Sequence, residues 1–203
     1  MYDEAKLREF YDADAPRRDS YDVHEWKQVE RQRFLEEVTL NRGGCLLELG
    51  AGAGKDSLFF KEQGLNIVAT DLSPEIVKLC KEKGLEARVM NYRSLAFPSE
   101  NFDAVYAFNS LLHTPKKNLL DVLTGIRNIL KPSGLFFLGV WGGESFEGLL
   151  EEDSYEPKRF FSFWEDRALL ELVMTQFDLI YFRKVKVEVA RNYHFQSLIL
   201  RKT

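Results

Sequence analysis

Five short apolar runs, at residues 45–49, 66–70, 86–90, 102–108 and 135–140, alternate with stretches patterned as helices, and this alternation constrains the fold most. Rich in Val, Ile, Leu, Phe and Tyr, the runs read as buried strands. Between them, residues 55–63 form a helix pattern closed by Gly64. Residues 74–83 open on Ser73 as N-cap with Pro74 at the first position, and close at Gly84. Residues 115–130 carry Leu119, Leu120, Leu123, Ile126 and Leu130 at helical spacing and stop at Lys131-Pro132-Ser133-Gly134. A further helix is expected from Ser162, whose spacing to Glu165 matches a capping box. Strand, helix, strand repeated in this way gives a parallel sheet with helices on both faces, because right-handed crossovers leave few other arrangements.

The tail breaks the rhythm. Val185, Val187 and Val189 alternate with Lys184, Lys186 and Glu188, and Ala190-Arg191-Asn192 then turns the chain into the apolar run 193–200. Two strands with no room for a helix between them pair antiparallel. The expected architecture is α/β: a doubly wound, seven-stranded, mostly parallel sheet with a C-terminal antiparallel hairpin. Upstream, Trp26, Val29, Arg33, Phe34 and Val38 predict a helix over 24–40 packed beside the sheet edge. Residues 1–22 alternate aromatic and charged side chains without a continuous core face; they are expected to form a short helix and loop that close over the site.

With 203 residues, 45% of them hydrophobic, the chain can bury one core and is short for two. The expected organisation is a single domain over 1–203: an N-terminal lid and helix at 1–40, a ligand-binding core at 44–202, and a substrate-lid insertion at 141–164. The net charge of −4, without a run of five like charges, argues against nucleic acid as a partner. No apolar stretch approaches the roughly 18 residues of a membrane span, and no signal peptide is recognisable. Two cysteines build neither a disulfide framework nor a four-ligand zinc site, and the three histidines lack metal spacing, so no metal is expected. A reducing, cytoplasmic location fits; monomer and homodimer remain open.

The chemistry concentrates after the first strand. Leu46-Leu47-Glu48-Leu49-Gly50-Ala51-Gly52-Ala53-Gly54 places a glycine-rich turn between strand and helix, at the carboxyl edge where doubly wound sheets bind ligands. Glycines let backbone approach a ligand closely, although a tight turn alone accounts for them too. Asp71 ends the next strand about twenty residues on, where a carboxylate can accept from both ribose hydroxyls; a helix N-terminus is its other use. Together the two elements describe a nucleoside site. A dinucleotide fingerprint fails in both frames, because Lys55 or Ser57 stands where its third glycine belongs, and the G-x-x-x-x-G-K-[ST] loop fails because Asp56 follows Lys55.

The segment from Glu48 to Gly54, Asp71 and the closing hairpin resemble the class I S-adenosylmethionine-dependent methyltransferases, over about residues 44–202. The resemblance implies S-adenosylmethionine as cofactor, bound by Glu48, Gly50, Ala51, Gly52, Gly54, Asp71, Leu72, Asn91, Tyr92, Phe108 and Asn109. Gly50 to Gly54 would lie under the methionine part, Glu48 would orient the loop or the amino group, Asp71 would hold the ribose, and Leu72 with Ser73 would line the adenine. Asn91 stands where the family usually has an Asp that bonds the adenine amino group. Its amide oxygen can accept the same bond, and an Asx turn is the competing use of that residue.

Asn109 and His113 fall where the family puts residues beside the sulfonium, and they are the catalytic candidates. His113 is either a base or a structural hydrogen-bonder. Tyr11, His113, Trp141 and Phe160 are the candidates for contacting the acceptor, and the aromatic segment 146–164 is either a lid or ordinary packing. Neither an Asp/Asn-Pro-Pro-aromatic tetrapeptide nor a Pro-Cys nucleophile is present. The expected activity is methyl transfer to an unidentified small molecule, with a non-catalytic S-adenosylmethionine-binding sensor or assembly module as the alternative.

Overall fold

The computed structural model describes residues 2–41, 43–153, 155–156, 158–187 and 193–203. β1 (Cys45–Leu49) lies at the centre of a seven-stranded sheet. On one side it pairs in parallel with β2 (Asn66–Asp71), which pairs with β3 (Glu86–Val89); on the other it pairs with β4 (Phe102–Phe108), which pairs with β5 (Leu130–Gly142). Parallel strands covered on both faces are apolar almost throughout, as β1 and β4 are, whereas β3 at the edge is not the buried strand expected: it buries Ala87 and exposes Glu86, Arg88 and Val89. The chain winds outward from β1 through β2 to β3 and restarts on the other side at β4. The crevice at the carboxyl ends of β1 and β4 is therefore the topological switch point.

β8 (Asp178–Val185) and β9 (His194–Arg201) complete the order β3-β2-β1-β4-β5-β9-β8. The last strand runs antiparallel to both neighbours and sits inside the sheet, between β5 and β8. The expected hairpin thus forms, but β8 begins at Asp178 and ends at Val185, so it takes in only Lys184 and Val185 of the Val/Lys alternation that suggested it. Val189 and the turn 190–192 lie outside the described residues.

α2 (Glu25–Leu40) and α3 (Lys55–Glu62) cover one face of the sheet. Phe34 of α2 is fully buried against Phe60 of α3, Tyr106 of β4 and Phe137 of β5. The helix therefore packs over the middle of the sheet rather than beside its edge, with Val29 half exposed. α4 (Pro74–Glu82) begins as expected, Ser73 accepting from the Ile76 N–H at 3.1 Å. The opposite face is covered by α5 (Lys116–Ile129) and α6 (Asp166–Val173), which bury Leu123 and Leu169 against Phe136 and Leu138.

Two local expectations fail. Leu130 opens β5 instead of ending α5, and Lys131-Pro132-Ser133-Gly134 is a bulge: Phe102 pairs with Leu130 and Ala104 already with Leu135. Ser162 starts no helix. It lies buried in β7 (Phe160–Phe163), which pairs antiparallel with β6 (Phe146–Leu149), opposite Glu147. The Ser-x-x-Glu spacing is a coincidence of a strand leading into α6, where Glu165 makes no side-chain cap bond.

α1 (Glu4–Ser20) caps the carboxyl edge. It buries Leu7, Phe10, Asp14 and Ala15, the last beside Ile76 and Cys80 of α4. Polar contacts hold it down: Asp12 accepts from the Ser73 hydroxyl and Asp19 pairs with Lys83. No helix among the described residues is long and apolar enough to cross a membrane.

Candidate active site

The turn after β1 is held by the strand beside it: the N–H groups of Gly50 and Ala51 both donate to the Thr70 carbonyl, at 2.8 and 2.9 Å. Gly50 has φ +70°, and a Cβ there would lie 2.4 Å from the Ser110 Cβ. Gly52 has φ +52°, yet a Cβ there would meet no protein atom within 4 Å. The space beside Gly52 belongs to a cavity of about 240 Å³ between the switch point and α1. Gly54 does not line that cavity. It precedes α3, where a Cβ would strike Leu85 and Cys80, so its smallness serves the approach of α3 to α4.

Asp71 accepts from the Gly52 N–H at Oδ2 and from the Ser73 N–H at Oδ1, both at 3.0 Å. Burial pushes its carboxyl up, partly offset by those two donors. It lines the cavity with Leu72, Met90 and Tyr92. Asn91 does not; its Oδ1 accepts from the Arg93 N–H at 2.8 Å, the Asx turn that competed with an adenine contact. Glu48 is 2% exposed and accepts from the Ser57 hydroxyl. Burial, then the nearby Asp56, raise its carboxyl well above the usual range, while Arg31 pairs with Asp56 at 2.7 Å.

At the other end the lining contains Phe108, Asn109 and Ser110, with the Asn109 Oδ1 and the Ser110 hydroxyl buried and without protein partners. His113 does not end β4; it closes a 3-10 turn over Leu111–His113 and is buried. Its Nδ1 lies 2.7 Å from the Phe160 carbonyl and its Nε2 2.7 Å from the Tyr11 hydroxyl. A carbonyl can only accept, so Nδ1 carries the proton and Nε2 accepts from Tyr11. Burial, with the Arg159 and Arg18 guanidinium groups nearby, lowers the imidazole to about 3.

That shift has a consequence for stability. An unfolded histidine takes up a proton near pH 6.5, whereas folded His113 stays neutral down to about 3. Stability is then complete above pH 6.5 and falls with acidification toward pH 3, with a slope approaching about 1.4 kcal/mol per pH unit. Urea unfolding at pH 7, 6 and 5 checks it: His113→Gln is expected to flatten this part of the dependence, and an unchanged profile refutes it.

Two of the acceptor candidates lie elsewhere. Trp141 packs against Trp26 and Phe195, outside the cavity, and Phe160 offers His113 its carbonyl while its ring meets Tyr2 at 5.5 Å. Conversely, Arg18 of α1, Lys27 of α2, and Lys55 with Asp56 of α3 line the cavity without having been expected there. Lys55 and Asp56 directly follow the glycine turn, but no local motif marks Arg18 and Lys27, which the docking of α1 and α2 brings there. Among the described residues no three His, Cys, Asp or Glu side chains converge as a metal site.

Comparison with known proteins gives a family model described as a methyltransferase domain, matching residues 47–138. A ubiquinone biosynthesis O-methyltransferase of Xanthomonas campestris pv. campestris (strain B100) is 30% identical over 175 residues, covering 77% of this chain and 71% of that protein. A tRNA (carboxymethyluridine(34)-5-O)-methyltransferase of Arabidopsis thaliana is 30% identical over 140 residues, which are 66% of this chain and 32% of that one. The crystal structure of a Burkholderia thailandensis 1,6-didemethyltoxoflavin-N1-methyltransferase with bound 1,6-didemethyltoxoflavin and S-adenosylhomocysteine matches with TM-score 0.73 and 25% identity. That match covers 98% of this chain and 88% of the other. Identity sustained over most of both chains, on a sheet of this strand order, leads to one conclusion: the protein belongs to the class I methyltransferases and is an enzyme that uses S-adenosylmethionine.

Proposed function

We propose that the enzyme methylates a hydroxyl oxygen of a small aromatic or enolic acceptor, docked at the His113 end of the cavity. The observation that carries this reading is the fixed tautomer of His113. Its Nε2 is held as an acceptor and already receives a phenolic O–H, that of Tyr11, at 2.7 Å. An acceptor hydroxyl suits the same place, with Tyr11 lining the acceptor end and holding the position until α1 yields it. The names of the Xanthomonas and Arabidopsis relatives, both transferring to oxygen, support the choice of atom. A net charge of −4 supports a small molecule over tRNA.

In this reading Asp71 holds the ribose, Gly50 to Gly52 lie along the thioether, and Leu72, Met90 and Tyr92 flank the adenine. The open space at Gly52 and the partnerless Asn109 oxygen fit such a ligand. When bound, S-adenosylmethionine supplies an already activated methyl group. The chain's task is positioning in a water-poor cavity, which can contribute roughly 7–11 kcal/mol. His113, neutral through the physiological range, orients the hydroxyl and takes its proton as the bond to carbon forms.

Release of S-adenosylhomocysteine across a panel of phenols, catechols, enols, amines, thiols and tRNA tests the proposal. Turnover confined to amines, thiols or tRNA overturns it. Once an acceptor is in hand, His113→Ala is expected to lower kcat by roughly 10- to 100-fold, at the bottom of the range for losing a general base. Tyr11→Phe removes a hydrogen bond that the acceptor displaces, worth about 1 kcal/mol, so KM should fall about fivefold with kcat little changed. A pH–rate profile with an inflection at 6 to 7 that His113→Ala removes contradicts the positioning mechanism.

A further inference from the structure

We infer that the acceptor carries a carboxylate besides the hydroxyl that is methylated, and that Arg18 of α1 receives it. The inference rests on the docking of a hydroxyl at His113 proposed above. Arg18 lines the cavity with its Cζ 4.5 Å from the centre of the Tyr11 ring. Tyr11 in turn bonds His113 Nε2 at 2.7 Å, so an acceptor that puts its own hydroxyl on Nε2 comes within reach of the guanidinium. That positive charge is not used up inside the protein. The acid beside it, Asp14, has Oδ2 3.0 Å from Arg18 Nε, but its Oδ1 is taken by Arg17 at 2.6 Å. One buried carboxylate thus serves two guanidinium groups. Arg17 is half exposed and stacks on Tyr155, whereas the Arg18 side chain is 28% exposed and faces the cavity. Among the described residues the two terminal nitrogens of Arg18 make no hydrogen bond. An arginine with that edge open takes a carboxylate as a two-pronged fork.

The neighbouring cations do not compete for this role. Arg159 is held by Asp153 through two bonds of 2.9 and 2.7 Å and does not line the cavity. Lys27 and Lys55 line it beside Asp56, whose carboxyl feels both ammonium groups. The open charge on Arg18 matters because the cofactor brings a second one. A sulfonium and a guanidinium in one cavity of about 240 Å³ repel each other, and an acceptor that carries an anion removes that repulsion where a neutral one leaves it. It also acts on the base. Burial, then Arg159 and Arg18, hold the His113 imidazole low, so a carboxylate seated on Arg18 offsets part of the effect and makes Nε2 more basic while a hydroxyl lies against it.

Hydroxybenzoates with the carboxylate ortho, meta or para to the hydroxyl are compared with their amides, which keep the outline and lose the charge. Release of S-adenosylhomocysteine gives kcat/KM for the parent, Arg18→Gln and Arg18→Lys proteins. Calorimetry gives their affinity for S-adenosylhomocysteine and, in its presence, for each acid and amide. The parent is expected to prefer at least one acid over its amide by roughly 10- to 100-fold, mainly through KM. Arg18→Gln should bring that ratio close to unity, and Arg18→Lys should keep the acid ahead by a smaller margin. Affinity for S-adenosylhomocysteine should stay within about threefold in both variants. Amides equal to or better than acids in turnover and in binding, or a ratio that Arg18→Gln does not move, overturn the inference and leave hydroxyl methylation standing. A loss of about tenfold or more in S-adenosylhomocysteine affinity in Arg18→Gln also overturns it, because the guanidinium then serves the cofactor. Turnover confined to amines, thiols or tRNA removes the hydroxyl reading and the inference with it. Melting temperatures of the variants separate a lost contact from a lost fold.

Discussion

Asp71→Ala is expected to raise the dissociation constant for S-adenosylhomocysteine by at least about a hundredfold. Two losses combine. On the placement proposed above, the ribose hydroxyls would lose charge-assisted acceptors worth about 1.5–3 kcal/mol each. The glycine turn also loses its anchor, because Asp71 receives the Gly52 N–H at 3.0 Å and the Ser73 N–H at 3.0 Å. Those two donors are left facing a cavity with no acceptor of their own. Asp71→Asn keeps one acceptor oxygen of the same shape and should lose about tenfold. Calorimetric titration decides between these outcomes, and a dissociation constant within threefold of the parent for Asp71→Ala would reject the ribose assignment.

The second large effect separates two glycines two residues apart. Gly50→Ala places a methyl 2.4 Å from the Ser110 Cβ at φ +70°, on backbone pinned to Thr70. Left-handed strain of about 1–2 kcal/mol adds to about 1–3 kcal/mol of overpacking, so the variant should lose roughly 2–5 kcal/mol of stability. Gly52→Ala carries similar conformational strain at φ +52° but meets no protein atom within 4 Å. Its methyl enters the cavity instead. That variant should lose only about 1–2 kcal/mol of stability and yet lose cofactor binding. Urea unfolding paired with calorimetry reads both quantities. Equal stability losses in the two variants, or normal binding in Gly52→Ala, would contradict the geometry.

What could be read before the structure was known followed the range of the interactions involved. The strand and helix of the glycine turn, Asp71, and the Ser73-Pro74 helix start are encoded within a few residues each, and they appear where their patterns place them. β6 and β7 escaped because a four-residue strand leaves too little period to detect, and Ser162 with Glu165 imitated a helix start. Site residues divide in the same way. The glycine turn and Asp71 follow from turn chemistry, whereas Asn109 and His113 are expected only through the family resemblance. Trp141 and Phe160 stand out by aromatic content and by lying where the family builds acceptor pockets, and packing in a neighbouring cluster satisfies both equally well. Arg18 and Lys27 enter through the docking of α1 and α2 on strands far along the chain, a contact that spacing in sequence does not record.

The position of β9 has a bearing on how the molecule is made. Because it is inserted between β5 and β8, β8 has no partner and β5 has only β4 until residues 194–201 have been synthesised. Leu198, Ile199 and Leu200 are then buried completely, so two faces of core close in a single late event. Until that moment a nascent chain exposes the long edge of β5, with Phe136 and Phe137 uncovered, and that edge is a template for pairing with other chains. Closure of this part of the core is thus a non-local step, since β5 and β9 are far apart along the chain, and steps of that kind are slow and exposed to mispairing.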